Sequence, residues 1–143
     1  MKDQGFTLIE LMVAMAIFAI GMLGLAALQG EGLRYNSNAY ERTQAVILAS
    51  DMADRIRANV GTGGANVLYG AIASPAGAAA TCINVTCSSN QMVAADAFEW
   101  LTLLDRTLPN GTGSVTLAGG IYTITVNWRG RFGASSHSLA VSP

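Results

Sequence analysis

The chain has 143 residues, of which 51% are hydrophobic and 12% are charged. This length suits one domain and excludes a multidomain enzyme. The charged fraction is about half that of an average soluble protein, and together with the high hydrophobic fraction it excludes a disordered chain. The formal net charge is -1, Lys2 is the only lysine, and the arginines are dispersed. Binding nucleic acid by neutralising phosphates needs clustered Lys and Arg, so we expect no nucleic-acid partner.

The hydrophobic residues are concentrated near the N-terminus. Residues 6–28 include 19 hydrophobic residues among 23 and a single charge, Glu10. About 20 apolar residues in a helix can cross a bilayer, whereas the apolar core of a secretory signal has about 7 to 15. We therefore expect residues 6–28 to form a membrane anchor. A charge deep in lipid costs about 2.5–3.5 kcal/mol, so Glu10 is either a functional residue or lies close enough to the headgroups to be hydrated.

One long helix is expected over residues 6–59, because only glycines interrupt its pattern. Gly21 and Gly24 fall inside the apolar run, where they permit either close helix packing or a segment that can stretch or unwind. Further along, apolar residues at helical spacing predict one buried stripe, formed by Ala45, Leu48, Met52 and Ile56.

Charged residues lie beside this stripe. Asp51 and Arg55 form an i,i+4 pair in the favourable order, with the acid first. We interpret these charges as a solvated face rather than as a functional site.

A connector rich in Gly and Ala, residues 61–81, follows the helix and is interpreted as a flexible loop. Its glycines do not have the spacing of dinucleotide-binding or phosphate-binding loops, so no cofactor is expected. Cys82 and Cys87 come next. They would form a disulfide in an oxidising compartment and otherwise remain two free thiols. No metal is expected, because the only histidine, His137, is 50 residues beyond Cys87 and cannot complete a zinc site of finger-like spacing.

The next segment predicts a second helix at about residues 89–107. Ser88 and Gln91 fit a capping box, and apolar residues repeat at helical spacing up to Pro109. Phe98 and Trp100 in this helix could line a binding groove, but we interpret them as core residues.

Alternating residues in the last third predict three antiparallel strands. Residues 115–117 and 121–128 form a hairpin, a turn covers residues 129–133, and a third run places His137, Leu139 and Val141 on one face. The expected fold class is α+β. The C-terminal half of the long helix packs on a small antiparallel meander, accompanied by the second helix.

The run Gly5-Phe6-Thr7-Leu8-Ile9-Glu10 resembles the processing site of type IV pilins and pseudopilins. In that class a short polar leader ends in Gly, and a hydrophobic helix with Glu at its fifth position follows. The resemblance implies a leader at residues 1–5, an anchor and filament-core helix at 6–28 and a pilin globular domain at 29–143. It also implies cleavage after Gly5 by prepilin peptidase, N-methylation of Phe6, and pairing of Glu10 with the terminal amine of a neighbouring subunit.

Later segments resemble the minor pilins called PilV. These are AIGMLGLAALQ at 19–29, AYERTQAVILASDMADRIRAN at 39–59, and DAFEW, LPNGTGSV and YTITVNW between residues 96 and 128. The resemblance implies a non-catalytic subunit that primes pilus assembly at the tip. Its implied partners are other minor pilins, the major pilin, the inner-membrane assembly platform and a tip adhesin. The domain would face the periplasm before assembly and lie in the extracellular pilus afterwards, where it would serve adhesion and twitching motility.

No arrangement of residues in the sequence predicts an enzyme. The single histidine falls in a predicted strand, no nucleophile motif occurs, and Asp96, Glu99 and Asp105 lie along one helix without a sign of a cleft. Two alternative functions remain open, a minor pseudopilin of a type II secretion system and a membrane-tethered binding module that does not polymerise.

Overall fold

A computed structural model describes residues 5, 7–59, 68–77, 82 and 85–142 of the chain. The order of its elements agrees with the α+β, type IV pilin-like fold predicted from the sequence. They are the helices α1 (Leu8–Asn59) and α2 (Ser89–Thr107) and the strands β1 (Thr112–Ala118), β2 (Ile121–Gly130) and β3 (Gly133–Val141).

The chain divides into two compact units, residues 1–37 and 38–143. In the first unit, every residue of α1 from Leu8 to Gly30 is exposed, and the most apolar stretch of the helix has no buried residue. By length and composition, α1 can cross a membrane. An apolar surface of this length calls for lipid or another protein as its neighbour.

The second unit has its own hydrophobic core. The predicted stripe of α1 is buried, together with Ala49 and Ala53 between its members. The three strands form one antiparallel sheet in the order β1-β2-β3, in which Val115 pairs with Ile124 and Ile124 with Leu139. The alternation predicted for β2 is confirmed, because its inward side chains are all buried: Tyr122, Ile124, Val126 and Trp128.

The helix α2 lies where the sequence predicts it. Ser88 and Gln91 form the capping box, in which the Gln91 amide donates to Ser88 Oγ at 3.4 Å and the Ser88 amide donates to Gln91 Oε1 at 2.9 Å. Trp100 is fully buried, and its indole N–H donates to the carbonyl oxygen of Leu48 at 2.9 Å. The prediction that Trp100 is a core residue is therefore confirmed.

β1 begins at Thr112, three residues earlier than predicted, because Gly113 lets its backbone approach α2. A Cβ atom at Gly113 would lie 2.5 Å from Leu104 Cδ1 and 2.5 Å from Trp100 Cη2. No side chain fits between this strand and the indole ring, so a glycine here is a packing requirement.

Gly113→Ala will lower the free energy of unfolding by about 2 kcal/mol, since an added methyl group must displace a buried and rigid indole. Urea unfolding followed by tryptophan fluorescence measures this change. The matched control is Gly77→Ala, where no atom lies within 4 Å of the new Cβ. If the two variants are equally stable, the close approach at Gly113 is refuted.

Part of the Gly- and Ala-rich connector belongs to the core, which corrects its interpretation as a flexible loop. Tyr69 is fully buried and Ile72 is 6% exposed. The amide of Val115 donates to the Ile72 carbonyl oxygen at 2.9 Å, and the amide of Ser74 donates to the Gly113 carbonyl oxygen at 3.0 Å. These bonds cover the outer edge of β1. The rest of the connector, residues 61–67 and 78–81, lies outside the described residues.

The turn between β2 and β3 is shorter than predicted. Gly130 pairs with Gly133, so only Arg131 and Phe132 form the turn. Gly133 has φ of +122°, a conformation that favours glycine. The prediction of a turn over residues 129–133 failed because Arg129 and Gly130 keep strand pairing up to the turn.

Candidate functional site

The start of α1 carries the residues to which the sequence assigns processing and assembly. Gly5 is exposed, and no atom lies within 4 Å of the position of a Cβ on it, so Gly5 itself is accessible to another protein. Phe6 lies outside the described residues. The structure therefore describes the glycine of the expected cleavage site and the helix that follows it.

Thr7 caps this helix, a role that the sequence reasoning missed. Its Oγ1 accepts a hydrogen bond from the Glu10 amide at 3.4 Å, and its carbonyl oxygen accepts one from the Leu11 amide at 3.2 Å. The spacing Thr-x-x-Glu is the signature of a capping box and could have revealed this cap. Glu10 thus lies in the first turn of α1, where a carboxylate interacts favourably with the helix dipole.

The Glu10 side chain is exposed and makes no ion pair within the part of the chain that the structure describes. Gly21 and Gly24 are exposed helical residues, and an added Cβ at either would meet no atom within 4 Å. Packing inside the described chain therefore requires neither glycine. The roles expected for all three residues involve either the membrane or another subunit.

Cys82 and Cys87 are joined in a disulfide, with their Cα atoms 5.8 Å apart. The bond closes a loop that leads directly into the capped start of α2 at Ser89. Of the two states that the sequence left open, the structure contains the oxidised one.

A partly buried polar network joins α1 to α2 in the second unit. Arg55 Nε donates to Asp51 Oδ2 at 2.9 Å, and its Nη1 contacts Asp96 Oδ1 and Glu99 Oε2, each at 3.0 Å. Tyr69 donates its hydroxyl proton to Asp96 Oδ2. The i,i+4 pair predicted from the sequence exists, but the same arginine also holds two acids of α2, so these charges are not simply a solvated face.

The pKa values of this network reflect its partial burial. Burial by itself lowers the pKa of Arg55, but hydrogen bonds to Glu99, Asp51 and Asp96 outweigh it, and the pKa lies above its usual value. Burial and then the hydrogen bond to Asp96 raise the pKa of Tyr69 above its usual value. The guanidinium therefore stays charged and the phenol stays neutral at physiological pH, which fixes donor and acceptor in each bond.

The raised pKa of Tyr69 predicts a loss of stability in alkali. In the unfolded chain the phenol ionises near pH 10, whereas in the folded chain it remains protonated to higher pH. The stabilisation is complete below pH 10 and decreases above it by up to about 1.4 kcal/mol per pH unit. Urea unfolding at increasing pH should show a smaller alkaline loss for Tyr69→Phe than for the natural chain, and equal losses would contradict the prediction.

Among the residues that the structure describes, no group of three His, Cys, Asp or Glu side chains could hold a metal ion. Asp96 and Glu99 are occupied by Arg55, and Asp105 is exposed further along α2. The described residues thus include the start of α1, to which the sequence assigns processing and assembly, and a structural charge network between α1 and α2.

These features define a class of protein, the filament subunits of the type IV pilin class with an exposed apolar N-terminal helix and an α+β unit. Comparison with known families agrees. Residues 1–26 match the prokaryotic N-terminal methylation motif, and residues 27–98 match the family described as type IV pilin Tt1218. The second match covers half of the chain, and the chain belongs to this family of type IV pilins. No curated protein and no solved structure matches it.

Proposed function

We propose that the chain is a minor pilin of a type IV pilus that helps to prime assembly at the tip. Residues 6–28 hold the precursor in the inner membrane with the folded unit in the periplasm. Prepilin peptidase removes residues 1–5 by cutting after Gly5 and methylates the new amine of Phe6. The assembly platform then transfers the subunit to the pilus, where it contacts other minor pilins, the major pilin and a tip adhesin.

One observation carries this proposal, the single carboxylate of Glu10 on the exposed apolar part of α1, within the N-terminal methylation motif at residues 1–26. In a filament core without water, a cationic amine and a carboxylate are each costly alone but tolerable as a hydrogen-bonded pair. A subunit out of register would leave both charges unpaired. Glu10 therefore fixes the position of the subunit, provided that the leader is first removed from the amine.

The finer assignment as a PilV-type minor pilin is supported by the motifs quoted above between residues 19 and 128. The charge of the folded part is consistent with it. Residues 29–143 contain seven arginines and seven acidic residues, and a net charge near zero favours association over repulsion.

Mass spectrometry of purified pili tests this function. We expect a peptide that begins with methylated Phe6 and a linked pair Cys82–Cys87 in the pilus fraction. Absence of the chain from sheared pili, with the folded protein present in the membrane, would favour a tethered module that does not polymerise. Deleting the gene tests the other alternative, a minor pseudopilin of a type II secretion system. Intact piliation with blocked protein secretion would favour that alternative.

A further inference from the structure

The turn between β2 and β3 presents an aromatic side chain between arginines. Arg131 and Phe132 form the turn, Arg129 precedes it in β2, and all three are exposed, with Phe132 exposed over 56% of its surface. Arg42 of α1 is also exposed. Arg42, Arg129 and Arg131 make no ion pair within the described residues. We call Arg42, Arg129, Arg131 and Phe132 the basic tip.

The basic tip lies at the end of the second unit where that unit's part of α1 begins. A Cβ atom at Gly130, directly before the turn, would lie 3.1 Å from Asn38 Oδ1 and 2.8 Å from Glu41 Oε2. The opposite end is marked by Asn59, which donates to the Ser89 carbonyl oxygen at 3.0 Å where α2 starts. The turn is thus next to the first residues of the unit and remote from the end of α1.

Charge is distributed unevenly between these two ends, although the unit as a whole is neutral. The tip end has the three arginines of the basic tip and one acid, Glu41. Asp105 and Arg106, on α2, have opposite charges that cancel. The far end has two arginines and four acids. These are Arg55, Arg57, Asp51, Asp54, Asp96 and Glu99.

The basic end is also the end nearest in sequence to the expected membrane anchor. Asn38 follows Leu28, the last residue of the apolar run, by ten positions in the chain. Ten helical residues rise by about 15 Å, and the headgroup layer of one leaflet is roughly 5–8 Å thick. In the membrane-anchored precursor, only this short length of chain therefore separates the anchor from the end of the second unit that carries the basic tip.

We propose that the basic tip binds the anionic headgroups of the membrane that holds the precursor. The arginines contact headgroup phosphates and Phe132 enters the interfacial layer, as aromatic residues of amphipathic membrane-surface segments do. Arginine pairs readily with phosphate through its planar guanidinium. The contact rests on the proposed anchoring by residues 6–28, and it holds the folded unit against the bilayer until the subunit is extracted for assembly.

The experiment uses the full chain in lipid nanodiscs that contain a headgroup spin label. Paramagnetic broadening of the backbone amide signals of Arg131 and Phe132 reports their proximity to headgroups. We expect stronger broadening when phosphatidylglycerol is added to phosphatidylcholine, and a loss of this excess in high salt. Each arginine near an anionic surface strengthens binding to that surface about fivefold. The double variant Arg129→Gln with Arg131→Gln should therefore lower the ratio of membrane-bound to free basic tip roughly 25-fold.

Arg131→Gln and Arg57→Gln form a matched pair, since each removes one exposed arginine, the first from the basic tip and the second from the far end. Arg131→Gln should reduce the broadening, whereas Arg57→Gln should leave it unchanged. An unchanged indole signal of Trp128 in both variants shows that the fold is intact. Equal broadening in both lipid compositions, or equal effects of the two substitutions, would overturn the proposal. The measurement involves no filament, so its outcome is independent of whether the chain enters pili.

Discussion

Replacing Arg55 with methionine will lower the free energy of unfolding by about 3 kcal/mol. The side chain of Asp96 is only 12% exposed, and Arg55 is its sole cationic partner among the described residues. Without the guanidinium, the carboxylate keeps the hydrogen bond from Tyr69 but stays partly buried and uncompensated. Removing one member of a buried pair costs more than the pair itself contributes, because the remaining charge has lost its water. Urea unfolding of the full chain in micelles, followed by tryptophan fluorescence, measures the change.

Arg57→Met is the matched control, because Arg57 makes a comparable ion pair with Asp54 at 2.8 Å on the exposed side of the same helix. Surface pairs of this kind contribute about 0.2–1 kcal/mol. In a chain that already carries Asp96→Asn, Arg55→Met should lower the free energy of unfolding by less than it does in the natural chain, since no buried charge is then left behind. A similar loss for Arg55→Met and Arg57→Met would show that the network around Asp96 does not join α1 to α2.

The features that follow from local periodicity were predictable from the sequence. The buried stripe of α1, the capped helix α2 and the alternation of β2 all depend on residues close together in the chain, and the structure contains each of them. Their spacing reflects the geometry of a helix or a strand, so no knowledge of distant contacts was needed.

The contacts between distant residues were not predictable in this way. Arg55 and Asp96 are 41 residues apart, and Tyr69 and Asp96 are 27 apart. The composition of the connector, rich in Gly and Ala, concealed the fact that Tyr69 supplies a core side chain and a hydrogen bond to the network. The residues next to Gly113 in the sequence do not explain its glycine, and only the position of the Trp100 ring shows why a glycine is needed there.

Glu10→Ala will reduce incorporation of the chain into pili by roughly 100-fold or more, because under the proposed pairing it leaves the terminal amine of a neighbouring subunit without its carboxylate in the filament core. Within its own chain, the Glu10 side chain is exposed and makes no ion pair with the described residues. Its loss should therefore leave the folded unit and the level of membrane-bound precursor unchanged. Quantitative immunoblots of sheared pili and of membranes, in a strain that lacks the natural gene, measure the two amounts.

Ile9→Ala is the control for Glu10→Ala, since it shortens the neighbouring side chain on the same exposed turn of α1 without removing a charge. Glu10→Gln separates the two features of the carboxylate, because it keeps the length and loses the charge. If pairing with the amine fixes the register, Glu10→Gln will fail to assemble as Glu10→Ala does, and Ile9→Ala will enter pili. Normal incorporation of Glu10→Gln into pili would contradict the role of the charge. Uncleaved precursor in either Glu10 variant would show instead that the failure to enter pili arises from defective processing. Only a cleaved, membrane-bound subunit that fails to enter the filament supports Glu10 as the residue that sets the register.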